Sequence, residues 1–155
     1  MPFWAPYRAL PSVVVHGGTV TATGGSGAGI GAGEGSGSAF CGNILINGGI
    51  VTATGGSSNA AGIGHGDNTY SAQSVTITDG INSVTATRGS SNSGVRCIGD
   101  KMNGSATIDG KSMSKYFEGN WGEGAPTFNN LILTVSGGDD DNDYKNATTW
   151  TLTHK

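Results

Sequence analysis

The sequence predicts an all-β fold, a right-handed parallel β-helix: a three-sided solenoid of about three coils with N- and C-terminal caps. Three observations predict it. A unit of about 31 residues recurs along the chain, β-branched residues alternate with small or polar ones within each unit, and glycine gathers at the corners between short runs. Gly supplies 29 of 155 residues and charged residues only 12%, against averages of roughly 7% and ~25%. Glycine-rich chains are often disordered, but those are rich in charge and poor in β-branched residues. Here Val, Ile and Thr accompany the glycine, and with four prolines and no Gly-X-Y period collagen is excluded too.

The repeat carries most of the argument. Residues 17–31 read GGTVTATGGSGAGIG, residues 48–64 read GGIVTATGGSSNAAGIG, and residues 79–99 read DGINSVTATRGSSNSGVRCIG. A preceding apolar run recurs as Val13-Val14-Val15, Asn43-Ile44-Leu45-Ile46, Ser74-Val75-Thr76-Ile77 and Ser105-Ala106-Thr107-Ile108, with Ile46, Ile77 and Ile108 spaced by 31. Each unit therefore holds three short segments: an apolar strand, a VTAT strand and an AGIG strand, parted by Gly-Gly or Gly-Ser corners. All three read as strands from their alternation and β-branched content. Helix is disfavoured, since each interior Gly costs about 1 kcal/mol relative to Ala.

One unit cannot bury its apolar side alone. Stacking equivalent strands at about 4.8 Å makes a continuous core and satisfies the backbone, and the handedness of parallel crossovers makes the right hand the default. Period 2 assigns the faces. With Val20 and Ala22 inward, Thr21 and Thr23 point out, as do Thr52 and Thr54, and Thr85 and Thr87.

A solenoid needs covered ends, and the aromatics fall at the ends of this chain. Phe3, Trp4 and Tyr7 open it, and Tyr116, Phe117, Trp121, Phe128, Tyr144 and Trp150 lie near its close. The expected organisation is an N-terminal cover at 1–12, solenoid repeats at 13–110 and a C-terminal β cap at 111–155. The cap is expected to carry strands at 131–135 and 149–153.

Charge and hydropathy narrow the function classes. A formal charge of −3 and eight scattered Lys and Arg lack the basic footprint that nucleic acid requires. No run of 18 apolar residues is present, so membrane insertion is not expected. The opening residues lack the apolar core of a secretory signal, and the Lys-poor, Gly/Thr-rich composition points to a piece of an exported chain. Cys41 and Cys97, in different repeats, read as two small buried side chains.

At VTATGG, GAGIG and NILINGG the sequence resembles the Gly/Thr-rich I-x-I-x-G-G-x-V-T-A-T-G-G…A-G-I-G repeat proteins of bacterial cell surfaces, whose last repeat often takes a worn form much like 75–89 here. More loosely, it is similar to β-helical carbohydrate-binding domains. The resemblance covers about 13–110 and implies a parallel β-helix at the cell surface. The segment 111–155 has no counterpart in it.

Four sets of residues have chemistry to weigh. Asp139, Asp140, Asp141, Asn142 and Asp143 can offer the hard oxygens calcium prefers. Their spacing lacks the central Gly and distal Glu of an EF-hand, and a solvated turn is the plainer reading. No cofactor is otherwise expected. Glu34 and Asp67 each lie four residues beyond an AGIG isoleucine, as a carboxylate pair on adjacent coils would, although so few charged residues surround them that solvated loops are the simpler account. The array Thr21, Thr23, Thr52, Thr54, Thr85 and Thr87 can lie against a polysaccharide or order water, with an ordinary exposed strand face as its plain counterpart. Tyr116 and Trp121, with Tyr70 and Tyr144, can stack on sugar rings or simply pack in a cap. His16 is expected to face outward and His65 to sit in a loop; with His154, they show no zinc or catalytic spacing.

The expected function is a non-catalytic extracellular or cell-surface binding or adhesion module whose partner is a polysaccharide or host glycan. The alternative is a β-helix carbohydrate-active enzyme, a lyase or hydrolase. Ice binding through the Thr-x-Thr face is a third reading.

Overall fold

A computed structural model describes residues 12–34, 42–56, 59–66, 74–90, 95–99, 106–113, 126–138 and 146–155. Among them every regular element is a strand. The first repeat holds β1 (Val13–Val15), β2 (Thr19–Thr23) and β3 (Ile30–Gly31). The second holds β4 (Ile44–Ile46), β5 (Ile50–Thr54) and β6 (Ile63–Gly64). The third holds β7 (Val75–Ile77), β8 (Ser83–Thr87) and β9 (Ile98–Gly99). Beyond these come β10 (Ala106–Ile108), β11 (Lys111–Ser112), β12 (Leu131–Ser136) and β13 (Thr149–His154).

Equivalent strands of successive repeats pair with one another, parallel and in register. The sheets run β1-β4-β7-β10-β11, β2-β5-β8-β13-β12 and β3-β6-β9. Ile46 pairs with Ile77 and Ile77 with Ile108; Val51 is flanked by Val20 and Val84; Ile63 is flanked by Ile30 and Ile98. The repeat therefore works as a register rule: equivalent inward positions of successive repeats pair although their spacing varies, and apolar side chains meet apolar side chains.

The inward positions of all three sheets join one apolar cluster. Ile46, Ile77, Ile108, Val51, Val84, Ile63 and Ile98 are completely buried. Val51 and Val84 alternate with the small Ala53 and Ala86 along their strands, which keeps the interior narrow. The C-terminal strands add Leu131, Leu133, Val135, Trp150 and Leu152 to the same cluster.

Two glycines show why the corners tolerate no other residue. Gly49 has φ +82°, and a Cβ there would stand 2.5 Å from the carbonyl oxygen of Gly18. Gly64 has φ +123°, with the carbonyl of Gly99 similarly close. Both need the left-handed region and a neighbouring backbone in contact.

In two respects the structure departs from expectation. The AGIG runs yield strands of only two residues, because the small residues before each Ile serve close packing instead of a long ladder. The parallel order of the second sheet also stops at β8: β13 runs antiparallel to it, and β12 antiparallel to β13.

Candidate functional site

The second sheet places the threonines of the repeat on its outer face. Along β2, β5 and β8 the inward positions are Val and Ala, so Thr21, Thr52 and Thr85 form one cross-strand rank and Thr23, Thr54 and Thr87 a second. Thr21, Thr23 and Thr52 are exposed, and Thr54, Thr85 and Thr87 half-buried. The sequence reading ends each rank there.

The C-terminal hairpin lengthens both ranks. Thr151 pairs with Thr85, and Thr134 pairs with Thr151. The middle rank thus runs Thr21, Thr52, Thr85, Thr151, Thr134, five threonines on five adjacent strands. The next runs Thr23, Thr54, Thr87, Thr149, Ser136, and Thr87 Oγ1 lies 3.1 Å from Thr149 Oγ1. The third is Thr19, Ile50, Ser83, Thr153, Ile132. Neighbouring positions are about 4.8 Å apart between strands and about 6.8 Å apart along them. Across this grid of fifteen positions every side chain is Thr, Ser or Ile; none is charged and none aromatic.

Two substitutions in the repeat hold the hairpin in place. Arg88 stands where the earlier repeats have Gly24 and Gly55. Its Nε donates to Ala147 O at 2.9 Å and its guanidinium also to Asn146 O at 3.0 Å and Gly89 O at 3.2 Å. Cys97 stands where those repeats have Gly29 and Gly62. Its Sγ lies 3.3 Å from Ala147 O and 3.2 Å from Thr148 O. A Cβ on Gly62 would meet the backbone of Thr87 in the following repeat at 2.8 Å, whereas the Cys97 side chain reaches the carbonyls of residues 147 and 148. Burial pushes the Cys97 thiol up to about 12, outweighing the opposing influence of Arg88 and Trp150.

A trough of about 450 Å³ runs along the ends of these strands, lined by Gly24, Gly55, Gly56, Arg88, Gly89, Ser90 and Thr148. It borders the rank from Thr23 to Thr149, so the flat grid meets a backbone-walled edge.

Other expected sites fare differently. Tyr116, Trp121, Asp139, Asp140, Asp141 and Asp143 lie outside the described residues, as do Tyr70, Tyr144, Asp67 and Cys41. Glu34 is exposed. His16 faces outward as expected, with Nδ1 2.6 Å from Asn47 Oδ1, and Ser74 Oγ donates to Asn43 Oδ1 at 2.9 Å. Both are stacking contacts across one period. His65 lies in the loop directly after β6, as expected, and is 2% exposed there, its backbone N–H donating to Gly99 O of the next repeat. His154 Nε2 lies 2.5 Å from Ile81 O. Among the described residues no group of three or more His, Cys, Asp or Glu is placed to hold a metal ion.

The face residues absent from the sequence reading are Thr19, Ile50 and Ser83 on the repeat strands and Ile132, Thr134, Ser136, Thr149, Thr151 and Thr153 on the hairpin. The alternation Thr149-Trp150-Thr151-Leu152-Thr153 marks a strand with threonine on one side, but nothing in that run names β8 as its partner. A family model described as a β-helix repeat matches residues 13–34 and 44–64, the first and second repeats. No curated protein and no solved structure matches the chain.

Proposed function

We propose, starting from those two matched β-helix repeats, that the chain is a non-catalytic binding module. In this reading the three sheets are the sides of one short right-handed solenoid, with the segment 111–155 covering its last end. Its working surface is the outer face of the five-stranded sheet, and its ligand is an extended neutral polysaccharide at the cell surface or outside the cell. The composition of the chain, poor in charge and rich in Gly and Thr, supports that setting.

One observation carries the reading. The hairpin does not share the repeat's sequence, and its β13 runs against the repeat strands, yet the hairpin sets Thr151, Thr134 and Thr149 in line with the repeat's threonines. Folding requires an apolar inner face there and asks nothing so specific of the outer one. A rank of one residue type across parallel and antiparallel strands is what a surface selected as a surface would have. Each Thr offers a hydroxyl that donates and accepts beside a methyl, a pairing suited to the hydroxyl and C–H faces of sugars. The grid carries neither carboxylate nor imidazole, which supports binding without catalysis.

The test is retention on soluble and insoluble polysaccharides, with and without calcium because of the acidic run at 139–143. Thr52→Lys with Thr151→Lys places two charges on the middle rank, separated by β8. The expected result is retention weakened at least tenfold, about 1.4 kcal/mol, with stability changed by about 0.5 kcal/mol or less per site. Unchanged retention would remove the face from the reading.

The absence of aromatics from a grid with two fixed spacings favours a second ligand, a lattice of ordered water. Measurable thermal hysteresis, lost in the same double variant, would select it over polysaccharide.

A further inference from the structure

The two ends of the repeat stack differ, and the difference is written in glycine. At the far end β13 pairs with β8 and β11 with β10, while Arg88 and Cys97 replace glycines and grip residues 146–148. At the near end, β1, β2 and β3 are the outermost strands of their sheets.

The second repeat shows what a glycine facing backward is for. A Cβ on Gly48 would stand less than 3.0 Å from His16 O, one on Gly56 from Gly25 O, and one on Gly66 from Gly33 O. Each of these atoms is backbone of the preceding repeat, so no side chain fits. The first repeat keeps glycine at the equivalent positions, Gly17, Gly25 and Gly33, where nothing lies within 4 Å and all three are exposed. None has a φ in the left-handed region, so conformation does not demand glycine there either. The core end is open as well. Val13, Val20 and Ala22 are only half-buried, whereas Ile44, Val51 and Ala53 one repeat later are buried.

We propose that the edge formed by β1, β2 and β3 is an interface that receives one more Gly/Thr-rich β-helix repeat. That repeat pairs parallel, in the register by which the first repeat meets the second. The proposal goes beyond the binding reading and rests on the strand pairing and the glycine positions. Residues 1–11 are too few to be the occupant, since a repeat takes 31 residues, and Pro2, Pro6 and Pro11 lack the N–H a ladder needs. A second copy cannot offer its far end, which the hairpin occupies.

The experiment inserts a copy of residues 43–73 ahead of Ser12 in the full chain, in phase because Ser12, Asn43 and Ser74 are equivalent. The extended protein is expected to melt at least about 4 °C higher, with the amides of Thr19–Thr23 exchanging as slowly as those of Ile50–Thr54. Gly17→Ala, Gly25→Ala and Gly33→Ala together should leave the unextended chain within about 2 °C of its melting point, yet abolish the gain in the extended one. No gain on extension, or a triple variant tolerated equally in both, overturns the proposal. So does a triple variant that destabilises the unextended chain, which would mean that residues 1–11 or a second copy already fills the edge, light scattering telling the two apart.

Discussion

Single residues decide where the repeat stops. Gly55 becomes Arg88 and Gly62 becomes Cys97 one period later, and both new side chains contact the carbonyls of residues 146–148. The substitutions are visible in VTATRG and VRCIG, but a sequence does not say whether a worn repeat is decaying or fastening something. Arg88→Ala removes three donated hydrogen bonds to carbonyls. Bonds to a charged group contribute about 1.5–3 kcal/mol each at most, and a net loss of about 2 kcal/mol is expected, with amide exchange accelerated at Thr149–Thr153 before the core strands. Cys97 gives a pH signature. Its thiol is pushed up from 9.0 to about 12 in the folded protein by burial, so the unfolded chain ionises first. Stability is complete below about pH 9 and falls as pH rises toward 12. Denaturation midpoints between pH 8 and 11 should therefore drop more steeply for the wild type than for Cys97→Ala.

Among the elements, β13 has the most to carry. It pairs along its length with β8 on one side and β12 on the other, buries Trp150 and Leu152, and lengthens the threonine ranks. Trp150 is 1% exposed, and Trp150→Ala should cost about 3–5 kcal/mol, measured by urea denaturation. A smaller loss would mean that the hairpin folds onto the stack only loosely. The repeat strands were legible because period and alternation agree: Ile46, Ile77 and Ile108 announce the register before any coordinates do. The existence of β12 and β13 was legible for the same reason, since LILTV and TWTLT alternate. Their place was not. Antiparallel addition to β8 depends on which edge lies open once the stack has formed, and two of the five strands of the face follow from that fact alone.

For the molecule as a whole, the apolar core and the proposed binding face occupy opposite sides of the same strands. Inward positions are apolar and nearly closed to solvent, and outward ones on the second sheet carry hydroxyls and two isoleucines. Changes on one side should therefore leave the other intact. Ile77→Ala, with strand neighbours Ile46 and Ile108, should cost about 2–5 kcal/mol while ligand retention by the fraction that remains folded is unchanged; reduced retention at full folding would link the two sides. The position of β13 also bears on how the chain is made. Proteins fold from the N-terminal end as they are synthesised, at ~5–20 residues per second, and β13 follows every other strand described here. Until it leaves the ribosome, β8 and β12 each show a raw edge, and the hydroxyl surface exists only in its three-strand form. A nascent chain stalled short of Thr149 would thus lack Trp150 and Leu152 in its interior and leave the edges of β8 and β12 without the strand that joins them.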